Sequence, residues 1–549
     1  MLSNINSLPG SLSFQAIREK CKVSMTTFIV AMSLYFGFVL NTPVVSEIIH
    51  LSENSQAGLF AYSAPLLLTC LFIVIFSVLA LPYLFRPLFI VITLSSAIAC
   101  FATSRYQIMF DSSMIENVFE THTSEALSFV SLSAIMYVLI LGGVPSILIG
   151  LVKIDTSASI KSRMFKRLAL VTVAVLGILA IAGAFYKDFA SIGRNNSYIK
   201  KMIVPAHIFN SVKYAYKINF EPELPFRELG DDATLVPASN GKPTLMVLVV
   251  GETARSMNFH YNGYPRNTNP YTADKGVISF ANVTSCGTST AHSLPCMFSK
   301  LERTNYDRRQ ANSQSNALDI MHKAGVDISW LDNDGGDKDV AQKIGMKMVG
   351  SSSSDTFCDG MTCHDEVLLD GFDQRVAKMK GNKLIALHTI GSHGPTYWKR
   401  YPASMARFTP TCDRSDIENC TDEQIVNTYD NTIAYTDYFL SKIIDKLKTY
   451  EDKYNVVMMY LSDHGESLGE NGIYLHGTPY MIAPEEQKHV PWIIWMGDGY
   501  ANSRGIDRKA LEQRAARGEF SHDNLFHTLI DSFGVKTAEM NKEKSLFSH

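Results

Sequence analysis

The chain has 549 residues, 46% of them apolar, and a formal net charge of −3. That length suits roughly two to four domains, and the near-neutral balance argues neither for nor against a polyanionic partner. The average apolar content hides a split that excludes a wholly soluble chain: residues 24–187 are strongly apolar with few charges, whereas 230–549 read as an ordinary soluble domain.

In chain order, the first elements are five candidate membrane spans, at about 24–46, 62–84, 87–104, 127–152 and 168–186. Each is as long as a bilayer-crossing helix requires, roughly 17–25 residues. Five such runs as buried helices would need a very large soluble core. No small-residue cleavage site follows the first run, and more spans come after it, so a removed signal peptide fits poorly. Arg18, Lys20 and Lys22 precede span one, Arg86 lies between spans two and three, and Lys153, Lys161, Arg163, Lys166 and Arg167 lie between spans four and five. By contrast, Glu47 and Glu53 follow span one, and Arg105 with Asp111, Glu116, Glu120 and Glu125 follow span three. Basic loops stay in the cytoplasm. The N-terminus is then cytoplasmic, and an odd number of spans puts the C-terminal part outside.

Residues 190–240 read as a connector, in which Tyr198, Ile203, Phe209, Val212 and Tyr216 are expected on one side of an amphipathic segment at the membrane surface. From 241 the pattern changes. "PTLMVLVVGET" (243–253), "NKLIALHTIGSHG" (382–394) and "YNVVMMYLSDHGE" (454–466) are each an apolar run ending in polar residues, "VPWIIWM" (490–496) is a fourth run, and 422–449 has a helical pattern. Strands alternating with helices predict an α/β domain with a mostly parallel sheet. The expected division is a five-helix transmembrane domain at 1–190, a connector at 191–240 and a catalytic domain at 241–549. "SSSS" at 351–354 reads as loop, and "SHDNLF" (521–526) as a helix start capped by Ser521 or Asp523.

The six cysteines of the soluble part fall in close pairs: Cys286 with Cys296, Cys358 with Cys363, and Cys412 with Cys420. Cys21, Cys70 and Cys100 lie in or beside the membrane part. None of the pairs has CxxC spacing, so three disulfides in an oxidising compartment are expected rather than a zinc cluster. Charge bias and cysteine pairing agree on an inner-membrane anchor with an outward-facing domain.

Ligands bind beyond the carboxyl ends of strands in such sheets, and Glu252, His393, Asp463 and His464 fall there. Carboxylate oxygens with an imidazole nitrogen suit zinc. Each residue singly has a plainer explanation as a cap or a satisfied core group; together at one sheet edge they point to a metal site. The stretch "CGTSTAHSLPC" (286–296) offers what a metal would activate: a hydroxyl held by a short staple, near a helix start whose amides favour an anion. Spacing alone does not choose among Thr288, Ser289 and Thr290.

"VVGETAR", "SCGTSTAHSLPCMFS", "DNDGGDK", "GSHGPTYWKRYP", "NTYDNT" and "SDHGESLGENGIYLHG", in this order, closely resemble the lipid A phosphoethanolamine transferases, a family that includes the mobile colistin-resistance enzymes. These are membrane-anchored relatives of the alkaline phosphatase and sulfatase superfamily, and the resemblance covers nearly the whole chain. It implies a periplasmic α/β/α domain, zinc ligation by Glu252, Thr290, Asp463 and His464, and Thr290 as the nucleophile. It places Lys338, His393 and His476 around the phosphoethanolamine group, with His393 and His476 able to hold a second, weaker zinc. Asn117, Thr121 and Glu125 are spaced i, i+4, i+8 and would form one polar stripe on a helix; the resemblance implies that this stripe binds the donor head group, with Glu125 meeting its ammonium. The sequence departs from the pattern where several relatives carry a further cysteine pair: Asp337 and Ala341 stand there instead, which bears on the order of the loop and not on Lys338. The tail also lacks the terminal Cys of some relatives.

The implied reaction has two steps. Thr290 attacks phosphatidylethanolamine, diacylglycerol leaves, and a lipid A phosphate takes the phosphoethanolamine group from the threonine. Lys338 would balance phosphate charge and His393 would act as acid or base. The added amine would weaken attraction of cationic peptides such as polymyxins. The expected partners are the donor lipid, lipid A and membrane lipids, with no nucleic acid and the chain as a monomer. Transfer to a core sugar, a phospholipase-like hydrolysis, and a non-catalytic sensor or transporter are the alternatives. The complete ligand set and the scarcity of intramembrane charges argue against the last.

Overall fold

The structure is a computed structural model, and it describes residues 21–547 apart from 54–57, 197, 351–352 and 355. Arg18 and Lys20 of the first basic segment, and half of the 351–354 serine tract, lie outside the described residues. The chain divides into two compact units: Met1–Asp111 with Leu132–Lys213, and Ser112–Ser131 with Tyr214–His549.

The first unit is helical. Four helices, Phe60–Leu79, Phe85–Tyr106, Leu132–Leu151 and Ile160–Phe189, are long and apolar enough to cross a membrane, and a bent pair, Met25–Leu40 with Thr42–Ser52, makes a fifth if taken as one span. The straight run expected at 24–46 is thus broken, by 54°. Two residues explain the break. Asn41 turns its side chain onto the Phe36 carbonyl (2.9 Å) and onto both backbone groups of Val204 (2.9 and 3.0 Å), and Pro43 starts the next helix, where its missing N–H costs nothing. The fifth helix, expected at 168–186, runs from Ile160 to Asn195, because its basic first turns are good helix formers and Ser159 caps them.

Phe28, Phe36, Phe72, Phe76 and Phe89 form an aromatic core in this unit, mostly edge-to-face with Phe72 stacked on Phe76; Phe76 lies 5.1 Å from Phe36 and 5.0 Å from Phe89. Gly37 permits close helix approach: a Cβ there would meet Thr69 Oγ1 at 2.2 Å. The outward faces stay apolar, with Val78, Val91, Ile147 and Leu179 exposed, as a lipid-facing surface requires. The basic connections meet at one end: Lys22–Val23 pairs in parallel with Lys153–Ile154, and Arg86 donates to the Val152 carbonyl (2.9 Å). In the expected amphipathic segment, Phe209, Val212 and Tyr216 are exposed on the helix Ala206–Phe220, but Tyr198 and Ile203 pack inward instead. They precede that helix, and the Tyr198 hydroxyl is committed to Glu47 (2.5 Å).

The second unit is built on a seven-stranded sheet: β1 (Thr244–Gly251), β2 (Ile278–Phe280), β3 (Asp327–Asp332), β4 (Met346–Met348), β5 (Lys383–His388), β6 (Asn455–Ser462) and β7 (Trp492–Met496), in the order β2-β7-β6-β1-β5-β3-β4. The run from β6 to β4 is parallel throughout, and β7 is antiparallel to both neighbours. Strands β1, β5, β6 and β7 are buried along their whole length. Continuous apolar runs are what a sheet covered on both faces needs.

Three helices carry residues at or beside the sheet's polar edge, with a fourth as scaffold: α1 (Ser112–Glu120), α2 (Thr123–Ser128), α3 (Thr290–Phe298) and α4 (Asp422–Lys448). Helix α4 matches the expected 422–449 and opens with a capping box between Thr421 and Gln424. The three expected disulfides are formed. Cys286 is joined to Cys296 with a Cα separation of 6.2 Å, Cys358 to Cys363 with 4.0 Å, and Cys412 to Cys420 with 5.9 Å. Cys21, Cys70 and Cys100 are free thiols. Ser521 caps the turn before the last long helix, also as expected.

Candidate functional site

Parallel strands deliver their last residues to one sheet edge. Glu252 follows β1, Asp463 and His464 follow β6, His388 ends β5 and Asp332 ends β3. Thr290 joins them from the first turn of α3. Its hydroxyl lies 3.1 and 3.2 Å from the two Glu252 oxygens and 3.4 Å from His464 Nε2. His464 Nε2 is in turn 3.4 Å from Glu252 and 3.5 Å from Asp463. The structure therefore brings together all four of the ligands expected from the sequence. Of the three hydroxyls that spacing left open, Thr290 faces the cluster, whereas Thr288 donates to the Thr478 carbonyl (2.7 Å) and Ser289 precedes the helix as its cap. The staple expected around them is the disulfide between Cys286 and Cys296, which brackets the turn and the first turns of α3.

The cluster has the chemistry of a cation site. Glu252, Asp463 and His464 are fully buried, and Asp463 Oδ2 accepts no hydrogen bond among the described residues. Burial, and the nearby carboxylates of Asp463 and Asp334, push Glu252 well above the ordinary carboxylate range. Burial also holds His464 down to about 4, hence neutral. Its Nδ1 donates to the Gly465 carbonyl (2.9 Å), which leaves the Nε2 lone pair facing the two carboxylates. Two buried carboxylates and a neutral imidazole in this tautomer fit a zinc ion, whose charge would relieve the cost of burying them. One ligand atom from each of these three residues lies within 4.8 Å of the others, and the same holds for Glu252, Asp334 and His388.

The backbone around the cluster is tightly held. A Cβ on Gly391 (φ +49°) would sit 2.6 Å from the Glu252 carbonyl, so only glycine lets the turn before His393 approach. His522 braces the other side. It is buried and neutral, burial holding it down to about 4; its Nδ1 accepts from the Cys286 amide (3.0 Å) and its Nε2 donates to the Ser462 carbonyl (2.9 Å). One imidazole thus joins the disulfide turn to the end of β6.

A second set of residues surrounds this cluster. His393 Nε2 pairs with Glu125 (3.3 Å), and its ring lies 5.4 Å from that of His476. The His476 ring is 4.6 Å from that of His464, and its Nδ1 is 3.3 Å from Glu466. Burial opposes the charge on Glu125, but the His393 imidazolium outweighs it and holds the carboxyl down to about 2. His393 is raised in return, Glu125 overcoming burial. Lys338 lies in the left-handed region (φ +48°) and donates to the Glu120 carbonyl (3.3 Å). The single polar stripe expected for Asn117, Thr121 and Glu125 is not formed. The helix ends at Glu120, where Thr121 turns its hydroxyl back on the Asn117 carbonyl (2.8 Å), and Glu125 sits on the next helix, α2. A threonine at a helix end competes for the freed carbonyls, which is why one helix becomes two.

Sequence reasoning passed over four supports of the site. Asp332 Oδ1 accepts the amides of Asp334, Gly335 and Gly336 (3.1, 2.8 and 2.8 Å), and its Oδ2 takes His388 Nδ1 (2.7 Å). This shapes the loop that carries Asp334 and Lys338. His388 ends β5, whose apolar run is legible, so the strand-end rule that found Glu252 would have found it too; Asp332 ends β3, which carries no such run. Arg400 donates from Nε to the His393 carbonyl (2.7 Å). Arg308 joins three elements: Glu120 (2.7 Å) and Glu116 (3.3 Å) on α1, the Ala291 carbonyl beside Thr290 (2.8 Å), and Asp339 in the Lys338 loop (3.8 Å). No local pattern marked Arg308.

Known proteins share this arrangement of units. A family model described as Sulfatase matches residues 244–535, and one described as Phosphoethanolamine transferase EptA/EptB matches 68–218. The chain is 38% identical over 523 residues to phosphoethanolamine transferase EptA of Escherichia coli (strain K12), covering 94% of this chain and 96% of that one. It is 36% identical over 477 residues to phosphatidylethanolamine transferase Mcr-1 of Escherichia coli, covering 85% and 86%. Among solved structures it matches the integral membrane protein lipooligosaccharide phosphoethanolamine transferase A from Neisseria meningitidis, with a TM-score of 0.92, 37% identity, and coverage of 96% and 98%.

Proposed function

The chain belongs to the family of phosphoethanolamine transferases, and we propose that it moves phosphoethanolamine from phosphatidylethanolamine to a phosphate of lipid A by way of a covalent threonine intermediate. The observation that carries this reading is the Thr290 hydroxyl at the start of a helix, against Glu252 and His464 in a buried carboxylate–imidazole cluster. Glu252, Thr290, Asp463 and His464 would hold one zinc ion, with His393 and His476 as a weaker second pair. Bound there, zinc supplies Lewis acidity toward phosphate oxygens and lowers the pKa of the nucleophilic hydroxyl.

The chain's own groups account for the rest. In the first step Thr290 Oγ1 bonds to phosphorus and loses its proton to the basic groups around it; the bond from phosphorus to the glycerol oxygen breaks. His393, kept protonated by Glu125, donates a proton to the departing oxygen, and diacylglycerol leaves. In the second step an oxygen of a lipid A phosphate bonds to phosphorus, the bond to Thr290 breaks, the threonine regains its proton, and the proton of the acceptor's P–OH passes to His393 and restores it. Glu125 offers a carboxylate to the ethanolammonium group, and Lys338 a positive charge to phosphate oxygens. Asn117 and Thr121 are proposed as further contacts of the donor head group.

We place residues 1–190 in the bacterial inner membrane with the N-terminus cytoplasmic, 191–240 as a connector, and 241–549 in the periplasm. The clustering of the basic connections at one end of the helical unit and the three disulfides support this topology. Every proposed ligand comes from one chain, which fits a working monomer. The outcome in a cell would be a less anionic outer surface and resistance to polymyxins, colistin among them. Mass spectrometry of lipid A from a susceptible Gram-negative strain expressing the chain tests this. A phosphoethanolamine adduct with wild type and none with Thr290→Ala at matched expression is expected. An adduct with both removes Thr290 from its role; none with either, in well-expressed protein, removes lipid A as acceptor.

A further inference from the structure

A cavity of about 540 Å³ opens beside His393 within the catalytic unit. Its wall includes Glu125, Asp334 and His393 on one side and Met361, Trp398 and Lys399 on another. The volume is in the range of a small-molecule site. Arg400 also lines it, but its guanidinium is committed to the His393 carbonyl, Thr362 (3.3 Å) and Thr396 (3.2 Å). Lys399 is not: its Nζ rests 5.1 Å from the centre of the Trp398 ring, and it forms no ion pair among the described residues. The Trp398 indole N–H is buried and donates to no described group. A cation and an aromatic side chain thus stand together in the cavity lining.

The proposed two-step reaction says what should meet them. Attacking and leaving oxygens lie on opposite sides of phosphorus. Thr290 holds one side in both steps, so diacylglycerol and the acceptor use the other side in turn. His393, the acid for the departing oxygen, lines this cavity and marks that side. The two occupants differ in charge: diacylglycerol is neutral, whereas the acceptor is a phosphate on a sugar. A lysine contributes little to the first and favours the second. An indole offers an apolar face to a sugar ring.

On that reading of the site, we propose that Trp398 and Lys399 form the acceptor subsite, with Lys399 taking oxygens of the acceptor phosphate and Trp398 packing on the sugar that carries it. The test uses the full chain in detergent micelles, a phosphatidylethanolamine with a fluorescent acyl chain as donor, and a phosphorylated lipid A disaccharide as acceptor. Lys399→Gln should raise the acceptor KM about tenfold with kcat nearly constant, and Lys399→Arg should restore most of it. The burst of diacylglycerol released by the donor alone should keep its size and rate, and thermal midpoints should match wild type. An unchanged acceptor KM in the folded Gln variant overturns the proposal, as does a burst slowed as much as transfer, which would put Lys399 on the donor. A wild-type enzyme that releases no diacylglycerol until acceptor is added would instead remove the two-step reading beneath it.

Discussion

The inner cluster and the ring of residues around it are built differently. Glu252, Asp463 and His464 ride on the ends of buried parallel strands, and Thr290 on a helix stapled by the disulfide from Cys286 to Cys296 and braced by His522. Glu125, Lys338, His393 and His476 come from loops, a short helix and a left-handed turn, and are held by ion pairs, ring contacts and hydrogen bonds rather than by strand ends or a disulfide. On the proposed mechanism the reacting atoms sit on strand ends and a stapled helix, and the groups that would meet a substrate sit on loops and a short helix. Catalysis needs this division, because nucleophile geometry tolerates errors of only about 0.5 Å whereas a lipid head group must enter and leave.

The difference can be broken at four depths. The largest effect is expected for Thr290→Ala, which should cut transfer by at least about 10³-fold while the fold persists; thin-layer or mass-spectrometric product analysis reads this. Next is Asp463→Asn. It should weaken zinc binding by at least about 100-fold, since loss of even a supporting partner of a metal ligand costs about 10–100-fold. Metal analysis after dialysis, with zinc added back, checks it, and chelator-treated wild type should behave like the variant. Retained zinc in the variant would move the metal to the neighbouring set of Glu252, Asp334 and His388.

Arg308→Ala addresses the bond between the two regions. It leaves Glu116 and Glu120 of α1 without their buried cation, and on the order of 3 kcal/mol of stability should go with it. A lowered thermal midpoint, with partial recovery in Arg308→Lys, is the expected result; an unchanged midpoint would make the α1 contact incidental. The smallest effect belongs to the outer ring. Glu125→Gln should raise the donor KM about tenfold, lower kcat by letting His393 lose its proton at lower pH, and leave zinc content intact. Lost zinc there would show that the two regions are one.

The same contrast governs how much was legible in the sequence. The parallel sheet and Glu252, Asp463 and His464 could be read from apolar runs that end in polar residues, because burial on both faces imposes that pattern locally. The disulfides were legible too, because Cys286 and Cys296, Cys358 and Cys363, and Cys412 and Cys420 each pair across a short loop. Strand β3 escaped, as its six residues "DISWLD" carry Asp at both ends and no unbroken apolar run; Asp332 and the loop it shapes went with it. Membrane spans showed themselves by length, but the bend at Asn41 is made by Val204, far along the chain, and no window near residue 41 contains it. Thr290 could not be told from Thr288 and Ser289 by spacing, and only family resemblance or three-dimensional placement singles it out. Arg308 and His522 reach partners far away in sequence, and contacts of that kind leave no local periodicity.

The most direct test of the central claim is to trap the intermediate. The purified full chain, loaded with zinc, is incubated with phosphatidylethanolamine and no acceptor, quenched in acid, digested, and its peptides are mapped by mass spectrometry. A covalent threonine mechanism predicts a phosphoethanolamine group on Thr290, lost when a lipid A acceptor is added before the quench. Diacylglycerol release with the group on another residue, or with no modified residue at all, would contradict it.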